Sequence, residues 1–122
     1  MTLRVLAIDD SQTIRNLLHA ALSQAGFNVF FAEDGSQGLD RLEEADPHVV
    51  ITDINMPVLD GFGFIEAVRR LHPDRPVPIL VLTTESSPAL KDRARRAGAT
   101  GWIVKPFDEE KLIGAIERVA AR

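Results

Sequence analysis

Five short apolar runs, each followed by a stretch with helical spacing, constrain this chain more than any other feature. The runs are Arg4–Ile8, Asn28–Ala32, His48–Thr52, Val77–Thr83 and Thr100–Val104. They are apolar along most of their length rather than alternating, as expected of strands buried on both faces. Strands alternating with helices imply a parallel sheet covered by helices on both sides. Right-handed crossovers leave few topologies, and a five-stranded doubly wound α/β sheet in the order 2-1-3-4-5 fits best.

The intervening segments carry their own punctuation. Ile14, Leu17, Leu18, Ala21, Leu22 and Ala25 fall on one helical stripe, with Asp10 or Ser11 to cap its start and Gly26 to end it. The second helix is expected to be short, with Leu39 and Leu42 as its apolar contacts. Asp60-Gly61 opens a third, bearing Phe64, Ile65, Val68 and Leu71, and Pro73 and Pro76 close it. Ser87-Pro88 reads as cap plus first helical position, and Gly98 as the stop. Only Leu90, Ala94 and Ala97 lie between them as apolar anchors, so this fourth helix is expected to be weakly held. Asp108 caps a fifth helix with Leu112, Ile113, Ile116, Val119 and Ala120 on one face.

Composition narrows the function classes. The 122 residues amount to one domain, residues 1–122. The net charge of −4 argues against a general nucleic-acid binder. The absence of cysteine removes disulfides, zinc–thiolate sites and cysteine nucleophiles. No apolar run approaches the roughly 20 residues that span a bilayer, and Asp9-Asp10 come too early for a secretory signal. The expected compartment is the cytoplasm, with no membrane partner. Acidic side chains crowd the first half: residues 1–61 hold 10 against 3 basic, whereas residues 62–122 hold 8 against 11.

Some of those acids sit where chemistry is expected. In open α/β sheets, ligands bind beyond the carboxyl ends of the strands, where the strand order reverses. Asp9 and Asp10 follow the first run and Asp53 follows the third, so three carboxylates converge on that crevice. Each alone has a plain explanation as a cap or turn residue. Together they repel, and must protonate or recruit a cation. Oxygen ligands without histidine or cysteine suit Mg²⁺. Thr83 and Lys105 end the fourth and fifth runs on the same side. A hydroxyl, an ammonium and a divalent ion around a carboxylate form a phosphoryl site, in which an aspartate can become an aspartyl phosphate. Asp53, central in the sheet, is the best placed nucleophile.

Asp9-Asp10, Asp53-Ile54-Asn55-Met56-Pro57, Asp60-Gly61, Thr83 and Lys105-Pro106-Phe107 resemble the receiver domain of two-component response regulators, closest in character to the single-domain chemotaxis type. The resemblance spans essentially the whole chain. It implies a flavodoxin-like fold, and the strand order above rests partly on it. It further implies Asp53 as phosphoacceptor, Asp10 as direct Mg²⁺ ligand, Asp9 acting mainly through water, and the Asn55 backbone carbonyl as another ligand. Lys105, before a cis proline, would pair with the phosphoryl group, and Thr83 would hydrogen-bond it. Trp102 occupies the switch position, more often Tyr or Phe, and Thr84 is larger than the usual neighbour of the switch threonine. Asn55 and Glu85 match the positions that tune dephosphorylation.

The implied donor is a histidine kinase. The implied output is a changed surface on the fourth helix, fifth strand and fifth helix, offered to a flagellar motor switch protein or another target, with a phosphatase as a further partner. If the chain is the full product, that output is by protein contact. Lys91, Arg93, Arg95, Arg96 and Lys111 lie near this surface and suit an acidic segment. A stand-alone phosphorelay intermediate or phosphate sink would use the same site. Two other classes fit less well. A haloacid-dehalogenase-type phosphohydrolase would want an Asp where Ser11 stands, and a flavodoxin-like electron carrier would find its phosphate repelled by Asp9-Asp10.

Overall fold

The computed structural model describes residues 2–121. Five parallel strands, β1 (Arg4–Ile8), β2 (Asn28–Ala32), β3 (Val49–Thr52), β4 (Ile79–Thr83) and β5 (Gly101–Val104), form one sheet in the order β2-β1-β3-β4-β5. They alternate with α1 (Gln12–Gln24), α2 (Gly35–Ala45), α3 (Gly61–Leu71), α4 (Pro88–Ala97) and α5 (Glu109–Ala120). The expected fold class and strand order both hold.

Two cores flank the sheet. Leu6, Ile8, Val50 and Val81 point to one face, where they meet Leu42 of α2, Phe64, Ile65 and Val68 of α3 and Ala94 of α4. Val5, Ala7, Ile51 and Leu82 point to the other, against Leu18 and Leu22 of α1 and Leu112 and Ile116 of α5. The central strands β1, β3 and β4 are buried on both faces, apart from a half-buried Arg4, which is why their sequences read as unbroken apolar runs.

Several boundaries differ from the sequence reading. β3 begins at Val49 rather than His48, whose N–H still bonds to the Arg4 carbonyl at 2.8 Å while its ring Nδ1 accepts the Arg4 N–H at 2.9 Å. β4 begins after Val77 and Pro78, whose proline has no N–H for the ladder. Thr100 stays outside β5, its hydroxyl accepting from the Ile79 N–H at 3.0 Å. Leu17 within α1, Ala25 at its C-cap and Leu71 at the end of α3 were expected on buried stripes but lie exposed. Ser11 caps α1, which leaves Asp10 free of a capping role.

α2 is not short: it has eleven residues, as many as α3. Its apolar signal is thin because glycines make part of the contact. A Cβ on Gly38 would lie 2.5 Å from Ile8 Cδ1, so the helix backbone packs directly on β1.

Candidate functional site

The carboxyl ends of β1 and β3 lie side by side, and the chain leaves each through a tight, hydrogen-bonded step. The Asp53 N–H bonds to the Ile8 carbonyl at 3.0 Å, and the Asp9 N–H bonds to the Ala32 carbonyl at 3.1 Å. These bonds extend the ladder one residue past the strands and fix where the two aspartates stand. The Thr52 hydroxyl donates to the Asp53 carbonyl at 2.8 Å. α3 presses close from behind. A Cβ on Gly61 would lie 2.3 Å from the Asp53 carbonyl oxygen, so no other residue fits there without a shift.

Asp9, Asp10 and Asp53 come together as the sequence predicted, each offering a carboxylate oxygen within 4.8 Å of the others. Asp9 and Asp53 are buried and Asp10 is exposed. Lys105 reaches in from the end of β5 and bridges the buried pair, its Nζ 2.8 Å from Asp9 Oδ2 and 2.7 Å from Asp53 Oδ2. Burial pulls the Lys105 ammonium toward losing its proton, but its bonds and proximity to Asp53 and Asp9 outweigh that, leaving its pKa above the ordinary lysine value. The Lys105–Pro106 bond is cis, as the resemblance implied.

The remaining carboxylate oxygens divide unevenly. Asp9 Oδ1 accepts from the Ser11 N–H at 2.9 Å, and Asp53 Oδ1 from the Ile54 N–H at 2.6 Å. Asp10 has no hydrogen-bond partner among the described residues. The site is thus a cluster of hard oxygen donors with one uncommitted, solvent-facing carboxylate. That chemistry fits a small divalent cation holding several waters.

The other predicted residues ring the cluster. Thr83 ends β4 fully buried, its hydroxyl oxygen accepting from the Glu85 N–H at 3.3 Å. Asn55 Nδ2 donates to Glu85 Oε1 at 3.4 Å across the mouth of the site. Trp102 is half-buried, and its indole N–H donates to the Glu85 carbonyl at 3.0 Å. The loop after β4 therefore ties Trp102 to the site through one residue, a link with no signature in sequence.

Sequence reasoning also missed Arg15. Its Nη1 donates to the Asp9 carbonyl at 2.6 Å, and its Nη2 lies 3.5 Å from Glu33. A basic residue one turn into a helix is a common surface feature, so nothing marked it. Val58 is a second surprise. It adopts φ +69 between the site and α3 and is 82 % exposed, a costly conformation for a β-branched residue.

Residues 5–117 match the family model of the response regulator receiver domain. The chain is 42% identical over 118 residues to a probable chemotaxis protein CheY of Rhizobium etli, covering 96% of this chain and 92% of that one. It is similar to the chemotaxis response regulator CheY4 of Vibrio cholerae, with a TM-score of 0.90, 44% identity, and 98% and 99% of the two chains covered. A receiver domain of a sensor histidine kinase from Pseudomonas aeruginosa, with a magnesium ion coordinated in its active site cleft, shares the fold at a TM-score of 0.91 and 24% identity over 100% of both chains. The chain spans about half the length of other curated relatives, among them the probable transcriptional regulators ycf27 of Guillardia theta and Porphyridium aerugineum. The family model and the relatives of matching length agree with the geometry at the strand ends: the chain belongs to the response regulator receiver domain family.

Proposed function

We propose that this domain, residues 1–122, accepts a phosphoryl group from a histidine kinase onto Asp53. The observation that carries the reading is the placement of Asp53: a buried carboxylate bridged by Lys105 and crowded by Asp9 and Asp10. Asp53 attacks phosphorus, the bond from phosphorus to the donor nitrogen breaks, and the imidazole leaves. Lys105 balances charge on the transferred oxygens, and the Thr83 hydroxyl donates to one of them. Asp10, Asp53 and the Asn55 backbone carbonyl would hold Mg²⁺, with Asp9 acting through water. The bound cation would supply charge neutralisation during the transfer. The free, solvent-facing carboxylate of Asp10 supports its role as a direct ligand. The domain would catalyse only its own phosphorylation and dephosphorylation, the latter tuned by Asn55 and Glu85.

Phosphorylation adds about −1.5 to −2 charge at Asp53. Thr83 moves toward the new oxygens, and with it the loop whose Glu85 carbonyl holds Trp102. The surface of α4, β5 and α5 changes and meets a target. A shift from 1:99 to 99:1 requires about 5.5 kcal/mol of differential stabilisation. Charge-assisted contacts at about 1.5–3 kcal/mol each can supply much of that. Similarity to chemotaxis regulators along the whole chain favours a chemotaxis role in the cytoplasm, with a flagellar motor switch protein as target and a phosphatase as a further partner. Among the described residues, no helix is long and apolar enough to cross a membrane.

The test is incubation with acetyl phosphate and Mg²⁺, followed by intact-mass measurement. One phosphoryl mass should be added to the wild type and none to Asp53→Asn; equal labelling of both would overturn the assignment. The single Trp gives the second readout. Beryllofluoride with Mg²⁺ should change Trp102 emission or its quenching, and unchanged values would remove Trp102 from the switch.

A further inference from the structure

Arginines fasten main-chain carbonyls at several places in this domain. Arg4 donates to those of Ala45 and Asp46, Arg41 to that of Phe31, and Arg69 to those of Val77 and Gly98. These three tie one segment of the scaffold to another, and none of the carbonyls belongs to a site residue. Arg15 is different. Its Nη1 donates at 2.6 Å to the carbonyl of Asp9. That carbonyl is one half of the peptide group joining Asp9 to Asp10, so the bond fixes the plane from which the Asp10 main chain departs.

Every other polar group of Asp9 is also committed. Its N–H bonds to the Ala32 carbonyl at 3.1 Å, one carboxylate oxygen accepts from the Ser11 N–H at 2.9 Å, and the other accepts from Lys105 at 2.8 Å. Ser11 in turn caps α1. Asp10 is thus an exposed side chain held between two fixed residues. Without Arg15, the Asp9–Asp10 peptide is free to turn about the soft dihedrals on either side of it, and the Asp10 carboxylate turns with it.

The guanidinium is itself well supported. The Arg15 side chain is largely buried, and its Nη2 lies 3.5 Å from the exposed carboxylate of Glu33. An ion pair of that length to an exposed partner contributes little alone. Glu33 is anchored in turn at the start of α2: its N–H donates to Gln37 Oε1 at 3.0 Å, and Gln37 Nε2 donates to Glu33 Oε2 at 3.4 Å. The short, charge-assisted bond of Arg15 goes to the peptide between the two acids.

We propose that Arg15 is a positioning residue for cation binding: by locking the Asp9–Asp10 peptide, it holds the Asp10 carboxylate in place to meet Mg²⁺. This rests on reading Asp10 as a direct Mg²⁺ ligand. Removing the groups that orient a ligand typically lowers metal affinity by about ten- to a hundredfold. The sign of the effect is diagnostic. Deleting a positive charge beside a cation site strengthens cation binding by Coulomb's law, so a weaker site marks lost positioning rather than lost charge.

The probe is Mg²⁺ alone, titrated into the isotope-labelled full chain and followed through the amide shifts of Asp10 and Asn55. Arg15→Met keeps the apolar stem and removes the donor, and it should raise the Kd for Mg²⁺ about tenfold. Arg15→Gln, shorter and neutral, carries the test should the methionine variant fold poorly. Arg41→Met deletes the same charge and a comparable bond to a carbonyl, and should leave the Kd unchanged. In acetyl phosphate labelling, the Mg²⁺ concentration for half-maximal rate should rise with the Kd, while the rate at saturating Mg²⁺ stays within about twofold of the wild type. A folded Arg15 variant that binds Mg²⁺ as tightly as the wild type, or an Arg41→Met that weakens binding as much, would overturn the inference. So would a labelling rate that falls at saturating Mg²⁺ with half-saturation unmoved. Where the wild type still binds Mg²⁺ and is labelled, these outcomes remove the role of Arg15 alone. A wild type whose Asp10 and Asn55 amides ignore Mg²⁺ overturns the cation site, and the positioning role with it.

Discussion

α3 and α4 lie on the same face of the sheet, differ in length by one residue, and are held in opposite ways. α3 buries Phe62, Phe64, Ile65, Ala67 and Val68, whereas Ala94 is the one buried residue of α4. α4 is held chiefly at its ends and by arginines. The Ser87 hydroxyl accepts from the Leu90 N–H at 3.4 Å, Pro88 fills the first turn, and Gly98 closes the helix at φ +116. Arg69 of α3 donates to the Gly98 carbonyl through Nε at 3.1 Å and Nη2 at 2.8 Å. Arg93 of α4 places its guanidinium 4.0 Å above the Phe62 ring of α3. The difference separates two duties. α3 braces the backbone of Asp53 and cannot move without opening the core. α4 can shift by exchanging a few polar contacts, which suits an element that reports on the site.

The contrast breaks most visibly at Phe64. It is fully buried at the centre of its core, so Phe64→Ala should cost about 3–5 kcal/mol in chemical denaturation. Leu90→Ala, on the half-buried face of α4, should cost clearly less. Equal losses would mean that α4 is as firmly packed as α3.

Gly61→Ala comes next, at an expected 1–3 kcal/mol from overpacking. The new methyl would meet the Asp53 carbonyl oxygen and the Ile54 Cα, 2.3 and 2.7 Å from its ideal position. Because the strain falls on the phosphoacceptor's own backbone, acetyl phosphate labelling should slow along with the loss of stability. Labelling at the wild-type rate would show that α3 does not brace the site.

What was legible in sequence follows the same divide. The apolar runs of β1, β3 and β4 and the stripe of α3 were readable because burial on both faces, or along a full stripe, leaves a periodic trace. Caps at Asp60, Ser87 and Asp108 were readable because one side-chain oxygen bonds a backbone N–H three residues on. The meeting of Asp9, Asp10, Asp53 and Lys105 was foreseeable from strand order, since these residues sit at or next to strand ends. α2 was misjudged because glycine packing leaves no hydrophobic signal. Contacts between a side chain and a distant carbonyl left none either: Arg15 to Asp9, Arg69 to Gly98 and Trp102 to Glu85 depend on tertiary placement alone.

A smaller effect sharpens the account of α4. Ser87→Ala removes its N-cap and should cost about 1 kcal/mol. The loss should appear as faster amide exchange in the first turns of α4, with α3 unchanged. Exchange that accelerates in both helices would show them to open as one unit.

The smallest effect is the most specific. Arg93→Ala removes the guanidinium from the Phe62 ring, a contact worth about 0.5–1 kcal/mol at a partly exposed site. That corresponds to about two- to fivefold faster exchange in α4 if the contact holds the helix down. Arg93→Ala also deletes a long apolar stem, so its effect alone is ambiguous. Phe62→Leu separates the two contributions, because leucine keeps an apolar surface under the stem but has no ring face. In the Phe62→Leu background, the loss from Arg93→Ala should shrink to the part due to stem packing, and the coupling is the difference between the two losses. A loss that stays the same in both backgrounds would strip the arginine–ring contact of its role, and α4 would then be held to α3 by Arg69 and the caps alone.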